Sequence, residues 1–314
     1  MLALGHNVWR VRYLTFVSPN CSMPISEFIE FSTEATTMPM IQVDGLQVEY
    51  TQTGAGADLL LLHSLLTELS VFEQVLPALA ASRPSGVFPS RGIETSGRRV
   101  TCINLPGFGA SEPAEFVSVA DYADHVARTM DALKLAATTD VFGNGFGAFV
   151  ALELAIRHGM RFRRLLLADT VAVFSEPARL PFRGMAEKVR ANGMQAVLDT
   201  AIGRMFPAQF QAAHPDAVAG RKARLAPANA ACFARACLAL AALDLRPRLG
   251  GIRNPTLVMC GALDQTTPPA LAQEVAKAIP GALYREIAGS GHCPMLEQPE
   301  ALVAAMSAFL GSGA

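Results

Sequence analysis

Two residues late in the chain, Asp264 and His292, pair the types that make a general base. A carboxylate that accepts from one imidazole nitrogen fixes the tautomer and stabilises the imidazolium, leaving the other nitrogen to move a proton. Asp264 stands in "GALDQTTPP", just after the apolar run "PTLVMCG" (255–261), and His292 stands in "AGSGHCPMLEQPE". A third stretch, "DVFGNGFGAFVALELA" (140–155), begins as a buried strand, breaks into a glycine turn and continues as an apolar helix. Strand, sharp turn and helix is the setting in which many enzymes present a nucleophilic serine as G-x-S-x-G. Here the frame is Gly143-Asn144-Gly145-Phe146-Gly147, and Gly145 at its centre has no side chain to attack with.

These residues need a scaffold, and the rest of the chain supplies one. "IQVDGLQVEYTQTG" (41–54) reads as a hairpin turning at Asp44-Gly45. "DLLLLH" (58–63), "VTCIN" (100–104), "DVFG" (140–143), "RLLLAD" (164–169), "PTLVMCG" and "ALYREI" (282–287) read as strands, most of them buried. Between them lie helices. Ser70 and Glu73 form a capping box for a helix to about Ala81; Ser118 and Asp121 open another to about Leu135. The helix after the glycine turn ends near His158-Gly159, Pro268-Pro269 open a further one, and the last runs from Pro299 to Leu310. Residues 82–99, rich in Pro, Gly, Ser and Arg, read as a surface loop. From Val171 to Arg248 strand patterns vanish and helical ones replace them.

Alternating strands and helices predict an α/β fold, a mostly parallel sheet flanked by helices. The expected core is 38–170 and 249–314, with 171–248 inserted as a helical cap and 1–37 a poorly ordered extension. Ligands of such sheets sit beyond the carboxyl ends of the strands. Those ends carry the unusual polar residues: His63-Ser64-Leu65-Leu66, the segment Asn104 to Ser111, the glycine turn, and Asp264.

Composition narrows the partners. The chain has 314 residues, 51% hydrophobic and 17% charged, with net charge -1, so a large core is available and no basic surface for nucleic acid or an anionic membrane is implied. No stretch is long and apolar enough to span a bilayer. The six cysteines lack the short spacing of a zinc or redox motif, which fits a reducing, cytoplasmic compartment. No metal cluster or cofactor fingerprint is present; Gly143 to Gly147 is too short for a dinucleotide loop. A small, partly apolar molecule is the expected partner, and homo-oligomerisation is left open.

"LPGFGAS" (105–111), "VMCGALDQTTPP" (258–269) and "GSGHCPMLEQPE" (289–300), in that order around the glycine turn, resemble the α/β-hydrolase superfamily from about Met40 onward. Within it the chain is similar to the 3-oxoadipate enol-lactonase and meta-cleavage product hydrolase type. The resemblance implies that Asp264 and His292 are acid and base, that the amides of Leu65 and Phe146 form the oxyanion hole, and that Ser64 and Asn144 lie at the pocket. It also implies that Gly145 occupies the nucleophile's position. Asn104 replaces the family's usual Asp in the "LPGFGAS" loop, and Ser64 stands where many members have glycine. Asp169 is a second carboxylate able to orient the histidine, and Cys293 reads as a core thiol because neighbouring side chains seldom face each other.

Glycine tolerates positive φ, so Gly145 relaxes a turn that costs a side-chain-bearing residue about 1–3 kcal/mol. It also removes the nucleophile and leaves room for a water or a substrate atom beside His292. Three readings are open. The dyad activates water against a small ester, lactone or enol-type substrate; it abstracts a proton in lyase, isomerase or cofactor-free oxygenation chemistry; or the pocket only binds a small ligand.

Overall fold

The structure, a computed structural model, describes residues 38–82 and 97–312. The extension expected at 1–37 and most of the loop expected at 82–99 lie outside the described residues.

Eight strands form one sheet: β1 (Met40–Val43), β2 (Leu46–Thr53), β3 (Ala57–Leu62), β4 (Arg98–Ile103), β5 (Asp140–Asn144), β6 (Leu165–Ala168), β7 (Thr256–Gly261) and β8 (Leu283–Ile287). Their order across the sheet is β1-β2-β4-β3-β5-β6-β7-β8. The β1–β2 and β2–β4 pairs are antiparallel, and every pairing from β4 onward is parallel. The hairpin turns at Asp44 and Gly45, both at positive φ, as the Asp-Gly pair predicts. β5, β6 and β7 are buried along their whole length and β3 beyond its first residue. Continuous apolar runs rather than alternation are what a sheet covered on both faces requires.

The helices are α1 (Leu76–Ala81), α2 (Val119–Ala132), α3 (Phe146–His158), α4 (Glu176–Asn192), α5 (Gln195–Met205), α6 (Ala208–Ala213), α7 (Pro215–Leu225), α8 (Ala230–Ala242), α9 (Pro269–Ala278), α10 (Pro294–Glu297) and α11 (Pro299–Gly311). Five of them, α4 to α8, separate β6 from β7. No single helix among the described residues is long and apolar enough to cross a membrane.

The Ser118–Asp121 capping box forms on α2, with Ser118 N–H donating to Asp121 at 2.9 Å. The one expected from Ser70 and Glu73 does not. Glu68, two residues before Ser70, takes both the Ser70 amide and its hydroxyl and caps a short 3₁₀ turn, Leu69–Phe72. A nearby carboxylate offers the backbone an alternative to the helix, so α1 starts only at Leu76. β4 also begins inside the expected loop, because Arg98 is fully buried and donates to Asp140 at 2.9 Å.

The two glycines flanking the elbow determine how α3 packs. A Cβ on Gly147 would stand 2.5 Å from the carbonyl carbon of Leu62 and 2.8 Å from the His63 oxygen. One on Gly143 would stand 2.6 Å from the Ala148 amide. The helix is therefore pressed against the end of β3 with no side chain between. Gly147→Ala is expected to lower stability by about 3 kcal/mol, the upper end of overpacking costs, because backbone cannot yield as a side chain does. The urea unfolding midpoint measures it.

Candidate functional site

Gly145 links β5 to α3 at φ 52° and ψ −115°, its amide donating to the Ala168 carbonyl at 3.0 Å. Because α3 begins at Phe146, that residue's amide has no acceptor one turn earlier in the helix. It points out of the helix as a free donor.

The loop after β3 faces this turn. His63 accepts from the Leu105 amide at Nε2, 3.0 Å away, so its proton sits on Nδ1 and is donated to the Ser64 carbonyl at 2.8 Å. Thr67 donates to the same carbonyl through its amide and its hydroxyl, each at 3.2 Å. Burial pulls His63 down to about 4, outweighing the Ser64 hydrogen bond, so the ring is neutral. With the Ser64 carbonyl held by three donors, the trans peptide directs the Leu65 amide the opposite way. Among the described residues neither the Leu65 nor the Phe146 amide has an acceptor.

Asp264 and His292 meet. His292 Nδ1 lies 2.8 Å from Asp264 Oδ2 in a site where the two residues are only 6% and 4% exposed. Asp264 also accepts from the Thr266 amide at 2.7 Å, the Thr267 amide at 3.1 Å and the Thr267 hydroxyl at 2.5 Å. Burial disfavours its charge, but His292 and these donors outweigh that and hold the carboxyl at about 2. For His292 burial acts downward, but the charge and hydrogen bond of Asp264, with Asp169 and Glu297 behind it, together lift the imidazolium to about 9. The histidine loop is shaped by Glu297, which accepts from the Gly291 amide at 2.6 Å and the Cys293 amide at 2.9 Å, while His292 N–H reaches the Met205 carbonyl at the end of α5.

Asp169 is not the histidine's partner. It sits at positive φ directly after β6, fully buried, and accepts from Asn144 Nδ2 and the Gly261 amide, both at 2.8 Å. Burial, with the charge of Asp264 behind it, pushes its carboxyl well above the usual range. Asn144, expected at the pocket, points the other way: its amide bridges Asp169 and the His292 carbonyl at 3.2 Å. Ligating atoms of Asp169, Cys260 and Asp264 lie within 4.8 Å of one another. All three are already hydrogen-bonded, Cys260 to the Thr267 carbonyl at 3.3 Å. Cys293 is wholly buried, and burial raises its thiol far above the range of a reactive thiolate.

The space expected to open above Gly145 is not empty. A Cβ built there would overlap the Ser64 hydroxyl and stand 2.9 Å from His292 Nε2. The turn, the β3 loop and the histidine loop thus converge on one small volume. Ser64 is 2% exposed, Phe146 1% and His292 6%, so this volume is largely buried. A cavity of about 700 Å³ opens elsewhere, beside α4, lined by Phe174, Arg179, Gln265 and Thr266 and not by Gly145, Ser64 or His292.

Residues 59–299 match the family described as alpha/beta hydrolase fold. The chain belongs to that family. It is 30% identical over 212 residues to 3-oxoadipate enol-lactonase 2 of Acinetobacter baylyi, covering 67% of this chain and 78% of that one. It is 27% identical over 283 residues to polyketide synthase ThaQ of Burkholderia thailandensis, 88% of this chain but only 13% of that protein's length. Among solved structures, the enol-lactonase from Burkholderia xenovorans LB400 superposes with a TM-score of 0.77 at 28% identity, covering 87% of this chain and all of that one.

Some members of the site have no role assigned from the sequence. Thr267 and His63 act through hydrogen bonds to their neighbours. Arg221 on α7 reaches across to Ser70 Oγ at 3.0 Å and Glu68 at 3.4 Å, tying the inserted helices to the β3 loop. By contrast Arg183, on α4, is exposed and pairs with Glu176 at 3.4 Å. In a histidine NMR titration His292 is expected to change charge near about 9, and Asp264→Asn to lower that midpoint, since the anion that raises it is gone. An unmoved midpoint in the variant would contradict the pairing.

Proposed function

We propose that the protein is a hydrolase of small carboxylic esters or lactones. His292, oriented by Asp264, is its general base, and the amides of Leu65 and Phe146 receive the carbonyl oxygen. The observation that carries this reading is the His292–Asp264 contact of 2.8 Å, which leaves Nε2 directed at the elbow. A binder of small ligands gains nothing from a buried imidazole polarised by a carboxylate. The likeness to enol-lactonases supports enol-type lactones and aryl esters as the first substrates to try.

The chemistry derives from the geometry. His292 takes a proton from the attacking hydroxyl at Nε2, and Asp264 stabilises the imidazolium that forms. Negative charge then develops on the substrate's carbonyl oxygen, where two fixed amides await it at no reorganisation cost. No metal or organic cofactor is called for in this scheme. Arg221, within the helices read as a cap (171–248), contacts Glu68 of the core (38–170 and 249–314) at 3.4 Å.

A base must be neutral to act. With His292 raised, the active fraction is small at low pH and grows as pH rises through about 9. The expected kcat/KM for an aryl ester or enol-lactone therefore climbs into the alkaline range. Asp264→Asn shifts that limb toward lower pH and lowers the plateau. His292→Ala is expected to cut turnover by about 10²–10⁴-fold, the contribution of a positioned base. Turnover of the whole panel unchanged in His292→Ala would refute the proposal.

A further inference from the structure

We infer that Ser64 is the nucleophile of this site: the hydroxyl missing from the elbow is supplied from the end of β3. The inference rests on the reading of the protein as an ester or lactone hydrolase and adds to it the group that attacks.

Four observations carry it. First, the position is right. The point at which a serine side chain would leave Gly145 is overlapped by the Ser64 hydroxyl and lies 2.9 Å from His292 Nε2. The Ser64 hydroxyl, carried at the end of β3, thus stands beside the point from which an elbow side chain would extend. Second, both groups are unengaged. Ser64 Oγ makes no hydrogen bond among the described residues, and the His292 ring engages Asp264 and Thr267 through Nδ1 alone. In unliganded enzymes the nucleophile–base hydrogen bond is often long or misaligned and tightens when substrate arrives. Third, Ser64 is held. Its carbonyl takes donors from His63 Nδ1 and from Thr67, so the backbone that aims the hydroxyl is fixed on both sides. Fourth, the amide following Ser64 is that of Leu65. A serine at the elbow would be followed by one oxyanion donor, Phe146, and faced by the other, Leu65. Attack from Ser64 exchanges these places and keeps both donors. The other nucleophile nearby, Cys293, is a buried thiol beside Glu297 and cannot ionise readily.

In the first half-reaction Ser64 Oγ bonds to the carbonyl carbon and its proton passes to His292 Nε2. The carbonyl π pair moves onto oxygen, against the Leu65 and Phe146 amides. As the carbonyl re-forms, the bond to the leaving oxygen breaks and that oxygen takes the proton from Nε2. In the second half, water gives a proton to Nε2 and its oxygen attacks the Ser64 ester. Collapse releases the carboxylic acid and returns the proton to Ser64 Oγ. The sum is ester plus water to acid plus alcohol.

The test is labelling of the full-length protein by diethyl 4-nitrophenyl phosphate, with the site read by peptide mass mapping, alongside turnover of an aryl ester. The wild type is expected to release one nitrophenolate and carry one diethylphosphoryl group on Ser64. Ser64→Ala should take no label and lose at least about 10²-fold in turnover, with thermal unfolding near that of the wild type. The double exchange Ser64→Gly with Gly145→Ser is expected to recover turnover and move the label to position 145. The exchange matters because it separates loss of a hydroxyl from loss of structure. If the wild type takes no label and Ser64→Ala turns over within about threefold of it, while His292→Ala is inactive, attack is by water and the inference fails although the hydrolase reading stands. If the wild type neither takes label nor turns over any ester or lactone, the inference falls together with that reading.

Discussion

The backbone of α3 lies against the end of β3 with nothing but glycine between them. Gly143 and Gly147 have no room for even one methyl group, since Leu62, His63 and the helix's own first turn fill the space. Close packing of this kind is a constraint on position, because interiors near crystal density do not let one element slide past another. It brings the β3 loop, with Ser64 and the Leu65 amide, onto the elbow formed by Gly145 and Phe146. Every feature of the site that involves two strand ends depends on it. A longer residue at either flank would push the loop and the elbow apart, and the shared volume beside His292 would open into an ordinary surface cleft.

Electrostatics then distinguishes three buried carboxyls that sequence alone treats alike. Asp264 keeps its charge because three threonine donors and an imidazole surround it. Asp169, behind it, has only two neutral donors and lies in the field of Asp264, so it is driven toward the protonated form. Two charges so near one another in a dry site oppose each other, and burial together with the Asp264 charge raises the Asp169 carboxyl. Glu297 serves a third purpose, holding the amides on either side of His292. The outcome is one anion facing one imidazole, with the remaining polar groups used as supports.

Much of the scaffold was legible in the chain. Buried strands announce themselves as apolar runs, and the Asp44-Gly45 turn and the Ser118–Asp121 box rely on local chemistry that no distant residue disturbs. The Ser70–Glu73 box failed for a reason equally physical: Glu68 competes for the same donors, and Arg221, 153 positions away, holds Glu68 in place. The meeting of Asp264 and His292 followed from motif order and not from spacing. What could not be read was direction. Asn144 lies next to the elbow in sequence yet its side chain turns back toward Asp169. Ser64 lies 81 residues before Gly145 and still reaches the space that Gly145 leaves. Both facts are set by how β3, β5 and β6 pair, which is a property of the folded sheet.

The central claim is that the chemistry takes place in the volume shared by Gly145, Ser64 and His292. A crystal structure of the full chain with an aryl boronic acid tests it most directly, because boron adopts the tetrahedral form of the attacked carbonyl. The account predicts boron bonded to Ser64 Oγ, one boronate oxygen on the amides of Leu65 and Phe146, and another beside His292 Nε2. A boronate seated in the cavity beside α4, or boron bonded at any other side chain while this volume stays closed, would contradict it.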